Sequence, residues 1–108
     1  MNKNYKIEGN KLIDLFMANF EEHESDRERI KYDLLVKEHE PRNYDEDWEL
    51  LVPAAKRVRE VINVELSINN YEVVREMDLT LSPYEYSKEQ VHGGIVEFIQ
   101  WYNENELQ

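Results

Sequence analysis

Two spacings of apolar residues run along this chain, and they predict different elements. Late in the sequence, Val91, Ile95, Phe98 and Tyr102 recur at i, i+4, i+7 and i+11 with Ile99 beside them, the one-sided stripe of an amphipathic helix. Ser87 and Gln90 precede the stripe at capping-box spacing, so side chain and backbone can satisfy each other's orphan groups where this helix begins. Early in the chain, Leu12, Phe16 and Phe20 share one line with Ile13 and Met17 alongside. They predict a first helix from about Asn10 to between Phe20 and Glu22, behind a frayed leader over residues 1–7. Trp48, Leu51, Ala55, Val58 and Ile62 follow a 3-4-3-4 spacing and predict another helix, with Asp45, Glu46 and Asp47 where a helix start favours negative charge. Pro53 lacks an N–H and crowds the preceding turn. The main helix is therefore expected to start near Val52, or residues 45–52 form a turn that kinks into it.

The other spacing is two. Tyr32, Leu34 and Val36 alternate across residues 30–37 and predict a strand closed by Pro41. Ile62, Val64, Leu66 and Ile68 alternate before Asn69-Asn70, and Tyr71, Val73, Arg75 and Met77 alternate after it. A two-residue turn there pairs Ile68 with Tyr71 and Leu66 with Val73, a hairpin with one apolar face and Arg75 as its exception. Leu79 and Leu81 extend the pattern to Ser82-Pro83. The expected class is α+β: about three helices packed on a small, about three-stranded, mostly antiparallel sheet in the order α-β-α-β-β-α. At 108 residues the expectation is a single domain over 1–108.

Charge changes the picture more than composition does. With 41% hydrophobic residues the chain reads as globular, and 13 basic against 24 acidic side chains give a net charge of −11. Nucleic acid and anionic membrane would be repelled by such a surface, whereas a basic protein would be drawn to it. Residues 21–49 hold 12 of the 24 carboxylates against five basic residues, a local charge of −7. Within that stretch Glu21, Glu22, Glu24, Asp26, Glu28, Asp45, Glu46, Asp47 and Glu49 are the candidate partner-binding residues, an array that could imitate phosphates; a solvated face is the plainer reading. The segment 21–29 is expected to be a loop or an exposed helical extension. Lys56, Arg57 and Arg59 form the one basic cluster, ordinarily the outer face of a helix.

Chemistry is sparse. There are no cysteines, which removes disulfides and thiolate metal sites and suits a reducing compartment. His23, His39 and His92 lack a second histidine at i+3 or i+4, so no helical metal pair is expected. Gly93-Gly94 has no phosphate-loop spacing around it. Each glycine there costs a helix about 1 kcal/mol relative to alanine, which points to a close approach by another backbone, a ligand or a second subunit. No residue has the setting of a catalytic nucleophile. The expectation is a non-enzymatic protein without metal or cofactor. The first residues form no signal peptide and no stretch reaches transmembrane length, so a cytoplasmic protein is expected.

Three blocks also carry a resemblance. Residues 47–53, Asp-Trp-Glu-Leu-Leu-Val-Pro, with the helix after them, resemble the Trp-x-x-Leu-x-Pro-Val-Val-x-Lys-Ile element of small phage and prophage proteins of Bacteroidota. Residues 96–103 are similar to the C-terminal Val-Val-Glu-Phe-Ile-x-Trp-Tyr-Asn of those proteins, and residues 10–17 to their opening Lys-Leu-Ile-x-x-Phe-Met. The blocks stand in the right order over roughly a third of the chain. Gly93-Gly94 and the charged 21–29 segment depart from the pattern, and the 62–77 hairpin matches none of it. The resemblance implies a small phage-type protein acting in the cytoplasm of a bacterial host, and it carries no activity over to these residues. The leading expectation is that the protein masks a basic surface of a host protein. Its specific version is an anti-defence nucleic-acid mimic, an anti-CRISPR or nuclease inhibitor. A nucleotide-signal sponge using Lys56, Arg57 and Arg75 is the alternative, with a phage accessory or structural role as a third reading and a homo-oligomer through the Gly93-Gly94 helix as a further option.

Overall fold

A computed structural model describes residues 3–69 and 85–105. The described residues contain four helices and no strand: α1 (Lys3–Ala18), α2 (Glu24–Leu35), α3 (Trp48–Asn69) and α4 (Lys88–Asn105). The expected α+β class and its α-β-α-β-β-α order are therefore wrong, and the reason is visible side chain by side chain. In a strand over 30–37, Tyr32, Leu34 and Val36 would share a face; instead Leu34 is 4% exposed while Tyr32 and Val36 are 52% and 62% exposed. On a helical turn Tyr32 and Val36, four apart, share one face and Leu34 lies on the other, and it is Leu34 that packs inward. The same test decides residues 62–69. Ile62 is fully buried and Val64 is 54% exposed, as two residues on opposite sides of a helix must be, and α3 runs on to Asn69. Between Pro53 and Asn69 the sequence contains no glycine or proline to stop a helix once started. The second strand of the expected hairpin, residues 71–77, lies outside the described residues.

Local chemistry explains the helix ends. α1 starts at Lys3, inside the expected leader, and ends at Ala18 with the N–H groups of Asn19, Phe20 and Glu21 turning back to the carbonyls of Phe16, Met17 and Ala18. The charged segment then becomes the first half of α2, with Glu24 and Asp26 in its opening turn, where the positive end of the helix dipole stabilises them. α2 closes through Glu38, whose φ of 54° bends the chain so that His39 N–H reaches the Asp33 carbonyl at 3.0 Å. Asp47 caps α3: its carboxylate accepts the Glu49 N–H at 2.9 Å and its carbonyl accepts those of Leu50 and Leu51. Pro53 lies within α3. The Glu49 carbonyl thereby loses its usual donor, and because both residues are exposed water can replace it. At α4 the expected capping box is formed, Ser87 N–H to Gln90 Oε1 at 3.0 Å and Gln90 N–H to Ser87 Oγ at 3.2 Å.

Helix directions follow from the contacts. Asn10 meets His92 of α4 and Phe16 meets Phe98 and Tyr102, so α1 and α4 run the same way. Asn10 also meets Asp45, just ahead of α3, and Phe20 meets Arg57 within it, so α3 points the same way too. α4 packs against both α1 and α3, and α2 folds back along α1. The core lies where these helices meet, with Phe98, Ile13, Leu51, Ile62 and Ile95 fully buried. Phe16, Phe98 and Tyr102 form an aromatic cluster with centroids 5.8–6.4 Å apart. Parallel α3 and α4 bring their N-termini together, and the Lys88 ammonium donates across the gap to the Glu46 carbonyl at 3.1 Å.

Candidate functional site

The fold divides the candidate carboxylates into two groups. Glu21, Glu22, Glu24, Asp26 and Glu28 surround the α1–α2 turn and the start of α2. Asp45, Glu46, Asp47 and Glu49 lie beside the middle of α1, where α3 begins. Asn10 and Ala18, the last residue of α1, are eight residues apart, about 12 Å along a helix axis at 1.5 Å per residue, and Glu21 lies beyond that end, so the array is two patches. In the first patch Glu21, Glu22, Glu24 and Glu28 are exposed. Asp26 pairs with Arg29 at 3.4 Å, and Arg27 is turned onto the Glu21 main-chain carbonyl at 2.6 Å. Among the described residues, no basic side chain forms an ion pair with Glu22, Glu24 or Glu28. In the second patch Asp47 serves as a cap and Asp45 is half-buried in a polar node, leaving Glu46 and Glu49 exposed.

That node is a constrained polar feature among the described residues. Asn10, buried, donates through Nδ2 to Asp45 Oδ1 at 2.6 Å and accepts the Asp45 N–H on Oδ1 at 3.2 Å. The same Oδ1 lies 2.8 Å from Nε2 of buried His92. An amide oxygen only accepts, so the imidazole carries its proton on Nε2 and donates it. Burial pushes the His92 pKa below its ordinary value; the Asp45 carboxylate acts against that shift and Lys6 adds to it. His92 thus works as a neutral strut between α4, α1 and the start of α3. Gly9 makes the strut possible, because a Cβ there would stand 2.8 Å from His92 Cε1 and 3.1 Å from Val96 Cγ2. A second node, one turn further along α1, fixes the 36–47 connection. Asp14 accepts the Tyr44 hydroxyl at 2.8 Å and the Arg42 N–H at 3.0 Å. Burial, and then the Asp14 carboxylate, raise the Tyr44 pKa.

Two of the three basic candidates are placed by the described residues. Lys56 is exposed, and Arg57 is committed to the Phe20 ring, 4.6 Å from its centroid, and to Glu60 at 2.9 Å. Arg75 lies outside the described residues. Among the described residues, a cleft of about 500 Å³ beside the Asn10 node has Lys6 as its one basic lining residue, and one of about 260 Å³ between α1 and α2 has Arg42. Gly93 faces open space, while Gly94 is buried. A close approach is also made at Gly9, a residue the apolar pattern does not single out. Asn10 and His92 also escaped the sequence reading, because neither belongs to a motif. Their one trace is position: both sit in otherwise apolar helix faces.

No family model matches this chain, and neither does any curated protein or solved structure. Among the described residues, no helix is long and apolar enough to cross a membrane and no group of histidines and carboxylates could hold a metal ion.

Proposed function

We propose that the protein is a binding module that engages a basic surface on another protein through its carboxylates. The observation that carries this reading is the patch around the start of α2. Glu21, Glu22, Glu24 and Glu28 project into solvent, and nearby basic residues are occupied, Arg29 with Asp26 and Arg27 with a main-chain carbonyl. Counting Arg27 and Arg29, residues 21–29 still hold five carboxylates against two cations, a net charge of −3, which attracts a positively charged surface over a Debye length, ~10 Å at 0.1 M salt. The likeness to phage proteins makes a bacterial host protein the natural partner, and mimicry of a nucleic acid the specific form of the interaction. The commitments of Arg57 weigh against the nucleotide-sponge alternative.

The test compares the wild type with a variant carrying Glu21→Gln, Glu22→Gln, Glu24→Gln and Glu28→Gln. Both are used to capture partners from host lysate at about 0.1 M and about 1 M salt, where the Debye length falls to ~3 Å. A basic protein retained by the wild type at low salt, and lost both at high salt and with the variant, is the expected result. Retention indifferent to salt and to the four substitutions overturns the proposal.

A further inference from the structure

Beside the acidic patch, α1, α2 and α4 leave an open groove of about 580 Å³, lined mainly by apolar side chains, among them Leu15, Phe20, Leu35, Ile99 and Tyr102. Leu35 is 55% exposed and Phe20 39% exposed, so apolar surface faces water where the three helices fail to close. Its reach along α1, from Leu12 to Phe20, is about 12 Å at 1.5 Å per residue. An amphipathic helix with anchors at i, i+3, i+4 and i+7 presents an apolar stripe about 10 Å long. The lengths agree.

Charge selects the kind of helix. Lys31 and Leu35 form the α2 wall of the groove, and Glu24 and Glu28 continue the same helical line at i, i+4, i+7 and i+11. Both glutamates are exposed and make no ion pair among the described residues. At the same end, where α2 starts beside Phe20, the Arg57 guanidinium lies over the Phe20 ring and is paired with Glu60. The α2 wall is thus apolar at its C-terminal end and carboxylate-bearing at its N-terminal end, with Lys31 between and Arg27 beside Glu24, its guanidinium turned onto the Glu21 carbonyl.

We propose that this groove seats an amphipathic helix of the partner, its apolar stripe against Leu15, Phe20, Leu35 and Tyr102 and its lysines or arginines along Glu24 and Glu28. The inference rests on the proposed engagement of a basic partner and adds where and in what form the partner binds. Apolar anchors supply affinity and the carboxylate ridge sets orientation.

The test uses three synthetic peptides of about five helical turns: leucines on one face with lysines elsewhere, the same composition scrambled, and the leucine face with glutamates. Binding to the wild-type protein is followed by fluorescence anisotropy. The lysine amphipath is expected to bind one-to-one, at least about tenfold tighter than either control, a difference of about 1.4 kcal/mol. Leu35→Asp should erase that preference. Leu35 is exposed and ends α2, so this variant should stay folded, with a stability loss of no more than the unfavourable dipole contact, about 0.3–1 kcal/mol. Lys31→Glu should tighten the lysine amphipath, which keeps the test decisive if Leu35→Asp unfolds the chain. Equal binding of amphipath and scramble overturns the groove and leaves the acidic-surface reading standing. Absence of binding by either lysine peptide at low salt overturns both. A dimer in sedimentation that Leu35→Asp dissolves assigns the groove to a second copy and overturns the proposal.

Discussion

Replacing Gly9 by alanine sets two known effects against each other, and the structure decides between them. In a helix interior, alanine is favoured over glycine by about 1 kcal/mol, so on propensity alone α1 should gain. The new methyl, however, stands 2.8 Å from His92 Cε1 and 3.1 Å from Val96 Cγ2. His92 can move aside only by releasing its 2.8 Å hydrogen bond to Asn10, which strands buried polar groups at about 1–3 kcal/mol. If the ring stays, α1 and α4 must separate, an overpacking cost of similar size. The net expectation is a loss of about 0–2 kcal/mol, and in a chain of this size each kcal/mol moves Tm by about 4–8 °C. Gly93→Ala is the matched control, because nothing among the described residues lies within 4 Å of its added methyl; it should gain up to about 1 kcal/mol. Urea unfolding followed by helical circular dichroism measures both, and the difference between them isolates the packing cost from helix propensity. In a double-mutant cycle, Gly9→Ala should cost markedly less on a His92→Ala background, where the ring is gone. A Gly9→Ala protein as stable as the Gly93→Ala protein would refute the reasoning, because the α1–α4 approach would not then be tight.

Two further outcomes follow from the same contacts. Burial lowers the His92 pKa in the fold, below an ordinary value of ~6.5, so the unfolded chain takes up the proton first. Its contribution is therefore complete above about pH 6.5 and is lost as the pH falls toward the depressed folded value; urea midpoints across this range should fall less steeply in His92→Gln than in the wild type, and parallel slopes would contradict the assignment. Asp47→Ala removes the 2.9 Å bond to the Glu49 N–H and should cost about 1 kcal/mol, whereas Asp47→Asn keeps the cap and gives up only the charge, about 0.3–1 kcal/mol; thermal melts that rank the two the other way would show that charge, not the hydrogen bond, secures the start of α3.

What the sequence displayed openly was the stripe of each long helix. Leu51, Ala55, Val58 and Ile62 of α3, and Val91, Ile95, Phe98 and Ile99 of α4, are buried as their spacing implies, and the capping box at Ser87 forms. The strands were misread because short apolar runs satisfy both periods. Ile62, Val64 and Leu66 alternate, yet Val58, Ile62 and Leu66 also recur at i+4. A pattern of this length cannot choose; the uninterrupted helix already running through Val58 does. α2 was harder still, since a helix that buries essentially Leu34 alone shows almost no stripe. The polar node was illegible for a different reason. Asn10 and His92 are 82 residues apart, and what unites them is the absence of a side chain at Gly9, which no local pattern records.

The acidic surplus can be weighed against what the fold itself needs. Both carboxylate patches sit at helix N-termini, where each dipole is equivalent to about half a positive charge. The starts of α2 and α3 together therefore offset about one unit, while nine carboxylates surround them. Asp45, Asp47 and Asp26 have structural partners; Glu22, Glu24, Glu28, Glu46 and Glu49 form no ion pair among the described residues. Solubility alone is served by a net charge of about 2–8 in a small domain, and the chain carries −11. Beyond that point like charges repel and oppose the compact state. The surplus thus works against folding, and its exposed part at Glu24 and Glu28 continues the helical line of Lys31 and Leu35, which line an apolar groove between α1, α2 and α4. A basic, amphipathic partner relieves both at once: it neutralises the repulsion and covers the apolar surface. Binding such a partner should therefore raise the melting temperature more at low salt than at high salt.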